Sequence, residues 1–87
     1  MARPRLISGK QPDYTPEARA AAVEGTAIAR CTLLTTGKLR DCRLLKTLPM
    51  LEATILEALA TQVYTPVIVD GHPTSVSYIL IFKFKLN

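Results

Sequence analysis

At 87 residues the chain has room for one domain and one small core. A hydrophobic fraction of 48% argues against disorder, and no run approaches the ~18 apolar residues of a transmembrane helix. The net charge of +4 comes from Lys and Arg spread over the whole chain, without the face of cations interleaved with aromatics that a nucleic-acid surface needs. The densest basic group, Lys38, Arg40, Arg43 and Lys46, is offset by Asp41 and reads as a solvated hairpin face. Attraction to anionic lipid or polymer at low salt is an unspecific second reading of it.

Residues 1–13 have linker or disordered character, with Pro4, Gly9, Lys10, Gln11, Pro12 and Asp13, and favour a piece of a longer protein. Arg3 and Arg5 lie near the start, but no apolar stretch follows, so this is not a signal peptide. Thr15-Pro16-Glu17 supplies an N-cap hydroxyl, a proline at the first helical position and an acid in the first turn. A helix of roughly two turns is expected there, closed by Gly25 in a left-handed conformation.

From Thr26 the period changes to two: Ala27, Ala29, Cys31 and Leu33 alternate with Ile28, Arg30 and Thr32. Thr35-Thr36-Gly37-Lys38 gives a turn, with Gly37 free to take positive φ. A second strand runs through Leu39, Cys42 and Leu44, and its slipped alternation predicts a β-bulge near Arg40-Asp41. A second helix is expected over about residues 50–62, with Leu51, Ile55 and Leu59 on one stripe. Val67-Ile68-Val69 is a short extended segment turning at Asp70-Gly71. Ser75 to Leu86 is the most strand-like segment, Val76, Tyr78, Leu80, Phe82, Phe84 and Leu86 alternating with Ser77, Ile79, Ile81, Lys83 and Lys85. The expected fold is α+β: a small antiparallel sheet of about three strands with two helices packed on one face.

The ordered series of these residues resembles the TonB C-terminal domain family. It comprises Tyr14-Thr15-Pro16-Glu17-Ala18, Glu24-Gly25, alternation up to Gly37, the exit Tyr64-Thr65-Pro66, the turn Asp70-Gly71-His72-Pro73, and Phe82-x-Phe84-x-Leu86. The resemblance runs from Tyr14 to Leu86 and assigns residues 14–87 to one such domain. No single motif is specific; the order is. The chain departs from the family in Gln62, where many members carry Trp, and in Cys31 and Cys42, at inward positions commonly aromatic and aliphatic. An inner-membrane anchor and a proline-rich spacer, which the family implies for the full-length protein, are absent from these residues.

Cys31 and Cys42 fall on inward positions of neighbouring strands, and the turn and bulge set them opposite one another, within reach of a disulfide. The residues alone leave open a bridge or two small buried hydrophobes. The periplasm that the family implies favours the bridge, with a structural role. Two cysteines and the lone His72 make poor zinc arithmetic, so neither metal nor cofactor is expected. Glu52 and Glu57 lie on different helix faces, Ser75 and Ser77 lack an evident base, and the glycines are scattered; no catalytic constellation emerges and no enzyme is expected.

The C-terminal strand is about twice the usual ~5–6 residues in length and apolar on much of both faces. Its pattern alone leaves open an exposed edge, or cover over Ile79 and Ile81 by another element. The resemblance implies the edge: TonB domains take an extended receptor peptide by strand addition. Ser77, Ile79, Ile81, Lys83 and Lys85 are then the candidate partner-binding residues, with the lysines guarding against self-pairing. The implied function is that of a periplasmic interaction domain of an energy transducer, the soluble end of an inner-membrane-anchored protein, whose partners are outer-membrane transporters or other envelope proteins. The alternative from another class is a structural adaptor or homodimerisation module of a larger envelope machine with the same fold.

Overall fold

The computed structural model describes residues 3–86; Met1, Ala2 and Asn87, the outer ends of the expected linker and domain, lie outside them. The element order is β1 (Leu6–Ser8), α1 (Pro16–Ala20), β2 (Gly25–Leu33), β3 (Leu39–Lys46), α2 (Glu52–Thr61), β4 (Val63–Tyr64), β5 (Val67–Val69), β6 (His72–Thr74) and β7 (Val76–Phe84). The main sheet is antiparallel in the order β3-β2-β7, and two ribbons, β1-β4 and β5-β6, flank it. The fold is α+β, as expected. The ribbon β1-β4 is an addition: the segment read as linker carries β1.

Helix α1 begins as its sequence dictates, the Thr15 hydroxyl accepting from the Ala18 N–H at 3.2 Å with Pro16 behind it. It ends earlier than expected. Ala22, not Gly25, takes the left-handed conformation, at φ 54°. Ala22 N–H donates to Arg19 O and Val23 N–H to Ala18 O, the paired bonds of a Schellman motif, and Val23 packs on the core. Those bonds and that apolar contact offset the cost of a non-glycine at positive φ. Gly25 instead opens β2, at a positive φ of 146° that glycine tolerates.

Strand β2 is the central strand. Its inward residues Ala27, Ala29, Cys31 and Leu33 are all buried, and three of them are small. Larger inward groups on β7, Leu80, Phe82 and Phe84, are buried beside them, and Leu51, Ile55, Ala58 and Leu59 of the α2 region close the core from above. Helix α2 is shorter than the expected 50–62, because Met50 at φ 65° and Leu51 form a turn before it. Leu44 and Tyr78, which share the inward alternation of β3 and β7, are only half-buried. Tyr14 stacks edge-on against Phe84 at 5.5 Å between centroids, which ties the α1 entry to the end of β7.

The bulge expected near Arg40-Asp41 is present: the β2–β3 register shifts between Arg30 and Thr32, and Asp41 sits at φ 53°. A second shift, between Ile28 and Ala29, pushes Leu45 into solvent. Opposite the first bulge Cys31 and Cys42 are joined in a disulfide, their Cα atoms 4.0 Å apart. Asp70 at φ 52° and Gly71 at φ 79° make the two-residue turn of the β5-β6 hairpin.

Ile55 is fully buried at mid-stripe of α2, so Ile55→Ala should cost about 2–5 kcal/mol in lost contacts and residual cavity. Chemical denaturation with unchanged m-value is the check. The disulfide closes a short loop, so reduction should lower stability by about 2–3 kcal/mol and lower Tm without changing the fold. Intact mass with and without reductant checks the bond: a difference of two hydrogens is expected, and free thiols in periplasmically produced protein would refute it.

Candidate functional site

The two outer strands of the main sheet present very different edges. Strand β3 is bulged twice and carries Arg40, Asp41, Arg43 and Lys46, the devices that blunt an edge. Strand β7 pairs with β2 without a shift from Gly25↔Phe84 to Leu33↔Val76. Among the described residues no strand pairs with the other side of β7.

The direction of the free groups follows from the hairpin. Leu34 N–H donates to Lys38 O at 2.9 Å, so the backbone of Leu34 faces β3. By alternation Leu33, Cys31, Ala29, Ala27 and Gly25 turn their backbone groups toward β7. Their partners Val76, Tyr78, Leu80, Phe82 and Phe84 face β2 in return. The N–H and C=O groups of Ser77, Ile79, Ile81 and Lys83 therefore point to the open edge. Their side chains stand on the outer face of the sheet, where Ile79 and Ile81 remain 46% and 59% exposed. Among the described residues no helix or strand covers these two isoleucines. Lys85 lies just beyond the strand, exposed.

An N-terminal strap runs beside this edge. Arg3 lies across a shallow depression from Tyr78, Ile79 and Ile81, and Gln11, Pro12 and Tyr14 face Ile81 to Lys85 across a groove of ≈ 280 Å³. The strap's hydrogen bonds and ion pair run to α2, whereas Tyr14 meets β7 through Phe84. Lys10 N–H donates to Thr61 Oγ1 at 3.1 Å, Asp13 N–H to Thr54 Oγ1 at 3.0 Å, and Lys10 Nζ meets Glu57 Oε1 at 2.5 Å. This last contact holds the Glu57 carboxyl below the usual carboxylate range and raises the Lys10 ammonium. Gly9, at φ 105°, passes so near α2 that a Cβ would lie 2.5 Å from Thr61 O. Farther back, Arg5 and Thr65 exchange two hydrogen bonds of 2.9 Å.

Gln62 completes the fastening. It is 2% exposed, its amide donates to Lys10 O at 3.0 Å, and its carbonyl accepts from Tyr64 Oη at 2.8 Å. The position where many members of the family carry Trp is thus a buried polar clasp whose needs are met. Burial raises the Tyr64 phenol, with the neighbouring Tyr78 adding to it. Burial also raises Tyr14, followed by the Glu24 charge, and keeps it a donor to Val23 O. Sequence reasoning missed the strap; Gly9, needed where the chain closes on a helix, was its local clue.

Of the remaining candidates, Cys31 and Cys42 are brought together and His72 is exposed in the β6 ribbon. Glu52 and Glu57 are not brought together by α2, Glu57 pairing with Lys10 instead. Among the described residues no three metal-ligating side chains gather.

Two helices over a three-stranded main sheet with an open C-terminal edge define the class: an α+β module whose salient feature is a backbone surface. The chain belongs to the Gram-negative bacterial TonB protein C-terminal family, whose model matches residues 10–86. That family is a periplasmic protein-interaction domain of energy transducers, and among the described residues no helix is long and apolar enough to cross a membrane. In fold the chain is similar to the C-terminal domain of Pseudomonas aeruginosa TonB solved in solution, with a TM-score of 0.77 at 22% identity over 95% of this chain and 86% of that one. No curated protein matches in sequence.

Proposed function

We propose that this domain is the docking end of a TonB-type energy transducer, carried on an inner-membrane anchor and working in the periplasm. It binds an extended peptide of an outer-membrane transporter along β7, adding a fourth strand to the order β3-β2-β7. It acts by binding, not turnover. The observation that supports this reading is the unshifted β7 ladder whose outer N–H and C=O groups have no partner among the described residues. Backbone bonds from Ser77, Ile79, Ile81 and Lys83 give affinity for any extended chain, and alternate side chains give selection.

The strap makes the edge a groove instead of an open rim. A peptide entering between Gln11-Pro12-Tyr14 and Ile81–Lys85 is held on both sides at that end of the strand. Lys83 and Lys85 discourage β7 from pairing with itself while leaving the groove open to another strand. A strand bonded along its whole length also shares an axial pull over all its bonds, as energy transduction requires.

The test is titration of the domain with transporter peptides, followed by backbone amide shifts. The perturbed amides should cluster at 75–86 and at the strap, and Ile81→Pro, which removes an outward N–H, should weaken binding about tenfold or more, one strand bond being worth ~1 kcal/mol before distortion. Circular dichroism must show the variant folded. Lys83 and Lys85 charge changes should alter on-rate and salt dependence more than which peptide binds. Shifts confined to the 35–41 turn would overturn strand addition, and concentration-dependent self-pairing at β7 without peptide binding would favour the dimerisation module.

A further inference from the structure

The fold gathers charge that the sequence scatters. Register places Lys46 beside Ile28 and Ile81, Arg43 beside Arg30 and Ile79, and Arg40 beside Thr32 and Ser77, all on the outer face of the main sheet, with Lys83 next to Thr26 at its end. These five cations are exposed. Of the seven acidic residues only Asp41, in the β3 bulge, lies within the three strands, whereas Glu17, Glu52 and Glu57 lie on the helices of the opposite face. The ion pairs among the described residues, Lys10 with Asp13 and with Glu57, involve none of the five. Arg30 and Arg43 even stand directly opposite one another, an arrangement that destabilises a strand pair unless an anion lies between them.

We propose that this outer face is a docking surface for an anionic phospholipid bilayer. The cations form a two-dimensional array over three strands spaced ~4.8 Å apart, which matches a plane of phosphates better than the single line of charges on an acidic peptide. Ile79 and Ile81, 46% and 59% exposed between the cations, supply the apolar contact that settles below headgroup phosphates. Arg guanidinium groups bind phosphate oxygens in pairs, and Arg30 and Arg43 share one cross-strand position where a phosphate would relieve their repulsion. Lying on this face, the domain holds the β7 edge parallel to the membrane, open to a peptide emerging from a membrane-embedded partner. The surface shares the side chains of Ile79, Ile81 and Lys83 with β7 but adds Arg30, Arg40, Arg43 and Lys46 of β2 and β3, and it leaves the outward backbone N–H and C=O groups of β7 untouched.

The experiment is flotation of the domain with vesicles of phosphatidylcholine alone and of phosphatidylcholine with phosphatidylglycerol in equal parts, at low and high salt. Binding should appear only with phosphatidylglycerol and fall as salt rises. R30Q and R43Q should each lower the partition coefficient roughly fivefold, the usual contribution of one basic residue near an anionic surface, and the double variant about thirtyfold. Ile79→Ser should lower it too. R19Q, which removes the same charge from the helical side, should leave it unchanged. Relief of like-charge repulsion should keep R30Q and R43Q folded, which thermal melting verifies. Equal partition to both vesicles, an R19Q loss as large as that of R30Q, or binding to polyglutamate with none to vesicles would each overturn the assignment.

Discussion

The antiparallel ladder between β2 and β7 is the constraint on which the rest of the molecule depends. It runs without a shift from Gly25↔Phe84 to Leu33↔Val76, so inward and outward residues stay in phase over the whole length. Because the phase is kept, small inward groups of β2 lie beside Leu80, Phe82 and Phe84, and α2 can descend to close one core. The same phase turns every second backbone pair of β7 outward. A single bulge would have bent the strand and broken that row, as the two bulges of β3 do on the opposite edge. The sheet thus has one blunted edge and one regular edge, and the difference lies in register, not composition.

Around this ladder the stabilising contacts divide into two groups. The disulfide and the β3 bulges fix the hairpin side, where Cys31 and Cys42 meet across the shifted register. The strap side is held by hydrogen bonds to α2 and by the Gln62 clasp. Gln62 is costly to bury, and its bond to Lys10 O makes part of that cost conditional on the strap being in place. Folding of the helix end and placement of the strap beside β7 are consequently coupled. Exposed ion pairs such as Lys10–Glu57 add direction more than stability.

Most of the architecture was legible because it rests on local signals. The cap at Thr15, the period-two runs, Gly37, the slip at Arg40-Asp41 and the Asp70-Gly71 turn each follow from rules of a few residues. What was not legible depends on closure between distant parts. Ala22 takes the left-handed position because Val23 finds a core contact, which no local rule assigns over Gly25. The strap was read as linker because its partners, Thr54, Thr61, Gln62 and Thr65, lie far along the chain. The basic face was hidden for a related reason: Arg30 and Arg43 become neighbours only once the bulged register is known. The length and alternation of β7 are local signals, whereas the exposure of Ile79 and Ile81 and, among the described residues, the freedom of the edge are properties of topology.

Amide hydrogen exchange along β7, in the free domain and with a bound transporter peptide, tests the central claim most directly. In the free domain the amides of Tyr78, Leu80 and Phe82, bonded to β2, should exchange slowly while those of Ser77, Ile79, Ile81 and Lys83 exchange fast. Peptide should slow the second set and leave the outer amides of β3 unchanged. Uniform protection of β7 before peptide is added, or protection gained along β3 instead, would contradict the account.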